Sequence, residues 1–368
     1  MKILIINWRS ITDPLKGGAE IVTFEHARRW VKNHNAQITW ICAKYNKDLN
    51  FENLEGINFK YLGKELKRDS TLNLFFSFPL FFYLAYKEYQ DNFKNNVDVV
   101  IDQIHGIPFL TPLYVKEKVI LYIHEVAGNI WDKMFPFPIN IIGKFLEKNL
   151  LNLYKDNKII TVSNSTKEDL LSIHNFKNIT IVHNGVNLKP LEKPLTKFEN
   201  FTLVFLNRIV KMKGPERAIE IFSEVKKIIP NSKLVLIGNG EKDYLEELNI
   251  IVKKLNLYES VNILGFVPEE EKLNYLRKSH VLINTSFKEG WGLVNIEANT
   301  QGTAAVAFDV EGCRDSIKNG INGYISKDSK EFVSNILKIK ENNLAKESLE
   351  YSKEFNWDLK AEEFYQQL

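Results

Sequence analysis

Short apolar runs rich in β-branched residues alternate with amphipathic stretches along almost the entire chain, and no other feature of the sequence constrains the fold as tightly. The runs Lys2–Asn7, Gln37–Cys42, Ile57–Tyr61, Val97–Asp102, Val119–His124, Lys158–Val162 and Ile179–Val182 have strand length, and several are apolar throughout. Continuous apolarity is what a strand covered on both faces requires, as in a parallel sheet flanked by helices. Between these runs, apolar spacing predicts helices over Glu20–Lys32, Ile139–Leu153 and Ser165–Ser172. A stretch with two prolines and several charges, Asn187–Pro194, interrupts the rhythm. It then restarts, with strands over Thr202–Leu206, Lys233–Ile237, Val261–Leu264, His280–Asn284 and Ala304–Ala307. Helices are predicted over Pro215–Ile228, Lys242–Leu255, Glu269–Lys278, Leu293–Thr300 and Lys330–Lys340. Two such blocks predict an α/β protein of two parallel-sheet domains, with a boundary near Gly185–Asn200.

The chain's 368 residues suit two domains, and 44% hydrophobic with 26% charged residues is ordinary for a globular protein. A net charge of +3 lacks the dense basic face that nucleic acid demands. The first fifty residues carry eight Lys/Arg against four Asp/Glu. That bias suits an anionic ligand or a membrane surface, and a solvated face equally well. Cys42 and Cys313 lie in or beside apolar segments without CxxC or Cys/His spacing. Neither a disulfide framework nor a zinc site is expected, and a reducing compartment is. The N-terminal apolar run is too short for a signal-peptide core, and no run reaches the roughly 18 residues that a spanning helix needs. The expected location is cytoplasmic, with association at the cytoplasmic face of a membrane left open.

Ligands bind parallel α/β sheets at the C-terminal ends of the strands, where helix N-termini converge with unpaired N–H groups. Three loops at such ends carry candidate chemistry. In Lys16-Gly17-Gly18-Ala19-Glu20, two glycines permit close backbone approach, and the following helix offers N–H groups to a phosphate. A plain glycine turn explains this loop as well, and neither a dinucleotide nor an NTPase fingerprint is present. In Asn207–Gly214, Arg208 offers a bidentate fork and Lys213 a point charge, together a diphosphate clamp or else a solvated basic loop. In Phe287–Ala298, Glu289 falls in the loop and Glu297 about 1.5 turns into a helix beginning near Gly292. Backbone N–H groups at Gly292, Leu293 and Val294 are free to meet a phosphate there, and a surface loop with two ordinary glutamates explains the segment as well.

The pattern Glu289-Gly290-Trp291-Gly292-Leu293…Glu297 resembles the E-x7-E motif of the large retaining glycosyltransferase family 4, whose fold is named GT-B. Further segments resemble the family in the same order along the chain: Ser163-Asn164-Ser165, Asn184-Gly185-Val186, Asn207–Gly214, Leu234–Gly240, Val261–Val267 and Gln301–Ala304. They cover the second half densely and the first half thinly. The resemblance implies two Rossmann-like domains facing across a cleft: residues 1–186 binding the acceptor, 187–345 binding a nucleotide sugar, and a C-terminal helix over 346–368 returning to the first domain. It implies that Glu297 holds ribose hydroxyls, Glu289 binds the transferred sugar, and Arg208 and Lys213 neutralise the diphosphate. Gly17 and Gly18 would lie near that diphosphate, and Gly265, Phe266 and Val267 would contact the base. His124, at a strand end, resembles the family's histidine near sugar and acceptor. Departures are Asn207 for a glycine, Trp291 for a phenylalanine, His183 for a proline, and Asn299-Thr300 for a small apolar pair. None of these removes a charged group.

The expected reaction is transfer of a hexose-type sugar from a UDP-, GDP- or ADP-linked donor to a glycan or lipid-linked acceptor, with retention of configuration. No DxD-type carboxylate pair lies in an obvious metal-holding context, so neither a metal nor a resident cofactor is expected. Competing readings are a sugar-nucleotide epimerase or glycan phosphorylase on the same fold, a non-catalytic nucleotide-sugar-binding subunit, and a glycosidase using Glu289 and Glu297. The aromatic-rich stretch Leu72–Tyr86, preceded by Lys64, Lys67 and Arg68, reads as a core helix or as one lying on a bilayer. Trp131–Pro138 could add apolar surface.

Overall fold

The computed structural model describes every residue except 14–15, 45–50, 64–70 and 105, and gives only the backbone for 71–76 and 133–134. Lys64, Lys67 and Arg68 therefore lie outside the described residues. The chain forms two compact units, one of Met1–Gly185 with Trp357–Leu368 and one of Val186–Asn356. The exchange back to the first unit thus falls at Trp357 rather than at 346.

The first unit has strands β1 (Lys2–Ile6), β2 (Gln37–Ala43), β3 (Asn53–Leu54), β4 (Ile57–Leu62), β5 (Val99–Ile104), β6 (Lys118–Ile123), β7 (Lys158–Thr161) and β8 (Ile179–Ile181). They form one sheet in the order β3-β4-β2-β1-β5-β6-β7-β8, parallel except for the short β3–β4 pair. Its helices are α1 (Gly18–His34), α2 (Thr71–Glu88), α3 (Ile130–Met134), α4 (Ile139–Leu151) and α5 (Asn164–Ile173). On one face, Leu4, Ile6, Ile41 and Val100 pack with Trp8, Phe109 and the α2 residues Phe81 and Ala85. Among the described side chains of the aromatic stretch, Phe81 and Ala85 thus belong to the core, while Leu80, Tyr83 and Tyr86 face outward.

The second unit has strands β9 (Thr202–Leu206), β10 (Lys233–Ile237), β11 (Val261–Gly265), β12 (Val281–Asn284), β13 (Ala304–Phe308) and β14 (Gly323–Ser326). All are parallel, in the order β11-β10-β9-β12-β13-β14. Helices α6 (Pro215–Ile228), α7 (Lys242–Lys254), α8 (Glu269–Lys278), α9 (Leu293–Thr300), α10 (Cys313–Ser316), α11 (Ser329–Asn342) and α12 (Ala345–Ser352) flank it, and α13 (Trp357–Tyr365) belongs to the first unit. Successive strand residues serve opposite faces, as the two-residue pleat requires. Leu203, Phe205, Leu234, Leu236 and Ile283 pack with Phe222 and Phe332. Val204, Val235, Leu282 and Ala305 pack with Leu276 and Ala298. This double coverage is why the runs read as apolar throughout.

Candidate active site

In the second unit the strand order reverses between β9 and its neighbour β12. An open parallel sheet offers its ligand crevice at such a switch point, outside the carboxyl ends of the strands. The loop after β9 carries Arg208 and Lys213, and the loop after β12 carries Glu289. Sequence-distant polar groups are brought together there by topology.

Lys213 and Glu289 meet directly. Lys213 Nζ lies 2.6 Å from Glu289 Oε1, and both side chains are largely covered. Ser286 Oγ donates to the same carboxylate oxygen at 2.7 Å. Lys213 ends a 3-10 turn over Lys211–Lys213, and the chain leaves it through Gly214 at φ 64. A Cβ at Gly214 would stand 2.4 Å from the Thr285 carbonyl oxygen, so only glycine lets the two loops approach. Thr285 Oγ1 donates to the Gly214 carbonyl at 2.7 Å, and Phe287 N–H donates to the Met212 carbonyl at 3.0 Å. These bonds lock the lysine turn to the glutamate loop.

Arg208 is exposed and forms no side-chain hydrogen bond or ion pair with a described residue. It is an exposed cation at the end of β9. Glu297 sits on α9, half-buried, likewise without a side-chain hydrogen bond or ion pair among the described residues. Burial pushes its carboxyl above the ordinary range; Lys272 opposes this and Glu269 adds to it. Gly292 caps α9 at φ 71, with half-buried Leu293 and Val294 in the first turn. Their N–H groups head the helix, where anions are favoured. After β11, Gly265 takes φ 69 with open space around it, and Phe266 is 73% exposed. Val267 packs against the Val204–Leu282 face.

In the first unit, Gly17 caps α1 and Gly18 begins it. The Gly17 N–H does not stand open, because it donates to Glu20 Oε2 at 2.6 Å. Glu20 is fully buried, and three residues after the cap it makes the glutamate half of a capping box, glycine having no side chain to return the bond. His124 follows β6 and is buried beside Tyr122, its Nε2 3.3 Å from Gln103 Nε2. Gln103 also donates to the Ala19 carbonyl at 3.2 Å, linking the histidine to the first turn of α1. The loop after His124 is held by buried Glu147 of α4, which accepts from the N–H groups of Ala127 (2.7 Å) and Gly128 (2.9 Å) and from Trp131 Nε1 (3.0 Å). Sequence reasoning passed over Glu20, Gln103, Glu147 and Ser286. Only Glu20 had a local cue, an acidic residue in the first turn of a helix, since the others work through partners far along the chain or in a loop without regular spacing.

Two family models match consecutive parts of the chain: Glycosyltransferase Family 4 over residues 16–189, and Glycosyl transferases group 1 over residues 190–355. An uncharacterized glycosyltransferase of Methanocaldococcus jannaschii is 31% identical over 189 residues, 47% of this chain and 47% of that protein. The alpha-monoglucosyldiacylglycerol synthase of Acholeplasma laidlawii is 28% identical over 217 residues, 54% of each. The aligned segments thus span about half the length of these two relatives. Among solved structures, the sucrose-phosphate synthase of Thermosynechococcus elongatus superposes with a TM-score of 0.80 at 17% identity, covering 100% of this chain and 98% of that one. Anabaena HepE in complex with UDP-glucose gives 0.73 at 17% identity, covering 100% of both. These likenesses show the fold, GT-B.

Proposed function

Because this chain belongs to glycosyltransferase family 4, we propose that it transfers a hexose-type sugar from a nucleotide-diphosphate donor to a glycan or lipid-linked acceptor, with retention and without a metal. The observation that carries this reading is the Lys213–Glu289 pair at the switch point of the second sheet. Breaking the bond between the anomeric carbon and its phosphate oxygen leaves negative charge on the diphosphate and positive charge on the ring. Lys213, Arg208 and the N-terminus of α9 supply fixed positive potential for the first charge, and such preorganised groups lower a barrier by several kcal/mol. Glu289 Oε2 remains to accept a sugar hydroxyl, and Glu297 to accept ribose hydroxyls. The acceptor oxygen forms the new bond on the face the phosphate leaves, and its proton passes to that phosphate. His124 would serve the sugar and acceptor from the first unit. The UDP-glucose bound by HepE supports a nucleotide-sugar donor, and the diacylglycerol product named for the Acholeplasma relative supports a lipid-linked acceptor. The outward-facing Phe137, Ile141, Ile142 and Phe145 beside and along α4 are consistent with such an acceptor or a peripheral membrane contact. None of the described helices is long and apolar enough to cross a membrane.

A donor screen reading nucleotide release, with thermal shifts by UDP, GDP and ADP, tests the reading. Wild type should turn over one donor class. Lys213→Ala should keep the fold and lose transfer by about 100-fold, the scale of removing one group that stabilises the leaving charge. Undiminished transfer in that variant would overturn the clamp.

A further inference from the structure

The carboxylate of Glu289 is the outer end of a buried run of hydrogen bonds through uncharged polar residues. Ser286, whose hydroxyl donates to Glu289 Oε1, has its own N–H bound by Asn284 Oδ1 at 3.2 Å. Asn284 is the last residue of β12, and its Nδ2 donates to Asn295 Oδ1 at 3.1 Å. Asn295 lies on α9, two residues before Glu297, and its Nδ2 donates to Ser316 Oγ at 3.0 Å. Asn284, Ser286, Asn295 and Ser316 are all buried. A buried amide or hydroxyl costs stability unless it is hydrogen-bonded, so two amides and two hydroxyls in series specify one arrangement of the elements that carry them. Here those elements are the loop bearing one glutamate and the helix bearing the other. Gly292 belongs to the same device, because a Cβ there would stand 2.7 Å from Asn295 Nδ2.

We propose that Asn295 and Ser286 are positioning residues for the sugar-binding glutamate: through Asn284 they fix Glu289 relative to α9, so that one of its oxygens is immobilised and the other points at a chosen hydroxyl of the donor sugar. The proposal rests on the donor-binding reading above. It predicts that Ser286→Ala and Asn295→Leu each lower kcat/KM for the preferred nucleotide sugar about tenfold, and narrow its preference over the hydroxyl epimer by a similar factor. Affinity for the bare nucleoside diphosphate should change less than about twofold, since Glu297 and the helix terminus remain. Because the two residues act on one carboxylate in series, the double variant should fall about tenfold to twentyfold rather than about a hundredfold. Ser286→Ala removes a single oxygen and serves as the test if Asn295→Leu does not fold. Additive losses, unchanged epimer discrimination, or nucleotide affinity falling in step with turnover would overturn the positioning role. Wild type failing to bind any nucleoside diphosphate would instead overturn the functional reading itself.

Discussion

At the residue scale the site carries a tension between stability and use at Glu297. Its carboxyl is raised by burial, so between the unfolded and folded pKa values the folded chain holds more protons than the unfolded one. Stability therefore falls as pH rises through that window, and the ionised group is a cost at neutral pH. Glu297→Gln should give a higher Tm near neutral pH by scanning calorimetry. It should also weaken nucleoside diphosphate binding roughly tenfold, if the carboxylate receives ribose hydroxyls as proposed. Gly292→Ala makes a contrasting prediction. The residue must hold φ 71 against Asn295, so the added methyl should cost about 1–3 kcal/mol in denaturant titrations and release no function in exchange. At this scale the sequence was legible where one residue type has one use. Lys213 and Glu289 were recognisable as charged groups at strand ends, but their pairing was not. Nothing in two loops more than seventy positions apart states that one amine and one carboxylate will lie 2.6 Å from each other.

At the element scale, legibility followed the strength of the period. Strands buried on both faces were readable because their apolar runs are unbroken, and β9, β10 and β11 lie where the pattern places them. The short β14, Gly323-Tyr324-Ile325-Ser326, was not, since four residues with a leading glycine carry no period and the strand exists through its pairing with β13. The amphipathic turns of α1 were legible, but not the use of its inner face. His26 there is fully buried among Trp30, Tyr122, Trp357 and Phe364, and neither ring nitrogen has a hydrogen-bond partner among the described residues. Burial, with His124 and Arg29 adding, holds the imidazole well below its usual value of 6.5. Below that value the unfolded chain takes up a proton that the folded one refuses, so stability is lost as pH falls. His26→Phe should flatten this loss. The drop in Tm from about pH 7.5 to about pH 5 should be smaller than in wild type, and an equal drop in both would assign the acid sensitivity to other groups.

At the scale of the whole molecule, the chain completes its first unit with its last residues. It leaves that unit after Gly185 and rejoins it at Trp357, and the two crossings are bonded, Val186 N–H donating to the Phe355 carbonyl at 2.9 Å. The charge and apolar spacing of the C-terminal stretch announced helices, but no local signal states that α12 stays with the second unit while α13 docks on α1. That docking is made by long-range contacts: Arg29 Nε to Asp358 at 2.6 Å, Trp30 Nε1 to the Ala361 carbonyl at 2.9 Å, and the buried rings of Trp357 and Phe364. Fully burying a large apolar side chain contributes about 1.5–3 kcal/mol, so the two rings together supply roughly 3–6 kcal/mol to the first unit. That is a large part of the 5–15 kcal/mol typical of a folded domain. Deleting residues 357–368 should therefore lower the melting transition of the first unit by roughly 6–24 °C, at about 2–4 °C per kcal/mol for a unit of this size. The second unit keeps both of its cores and all six strands within Val186–Asn356, so its transition should stay in place. Calorimetry of the truncated chain would then show two separated transitions. A single transition displaced as a whole would mean that the two units unfold as one cooperative block, and that α13 stabilises both.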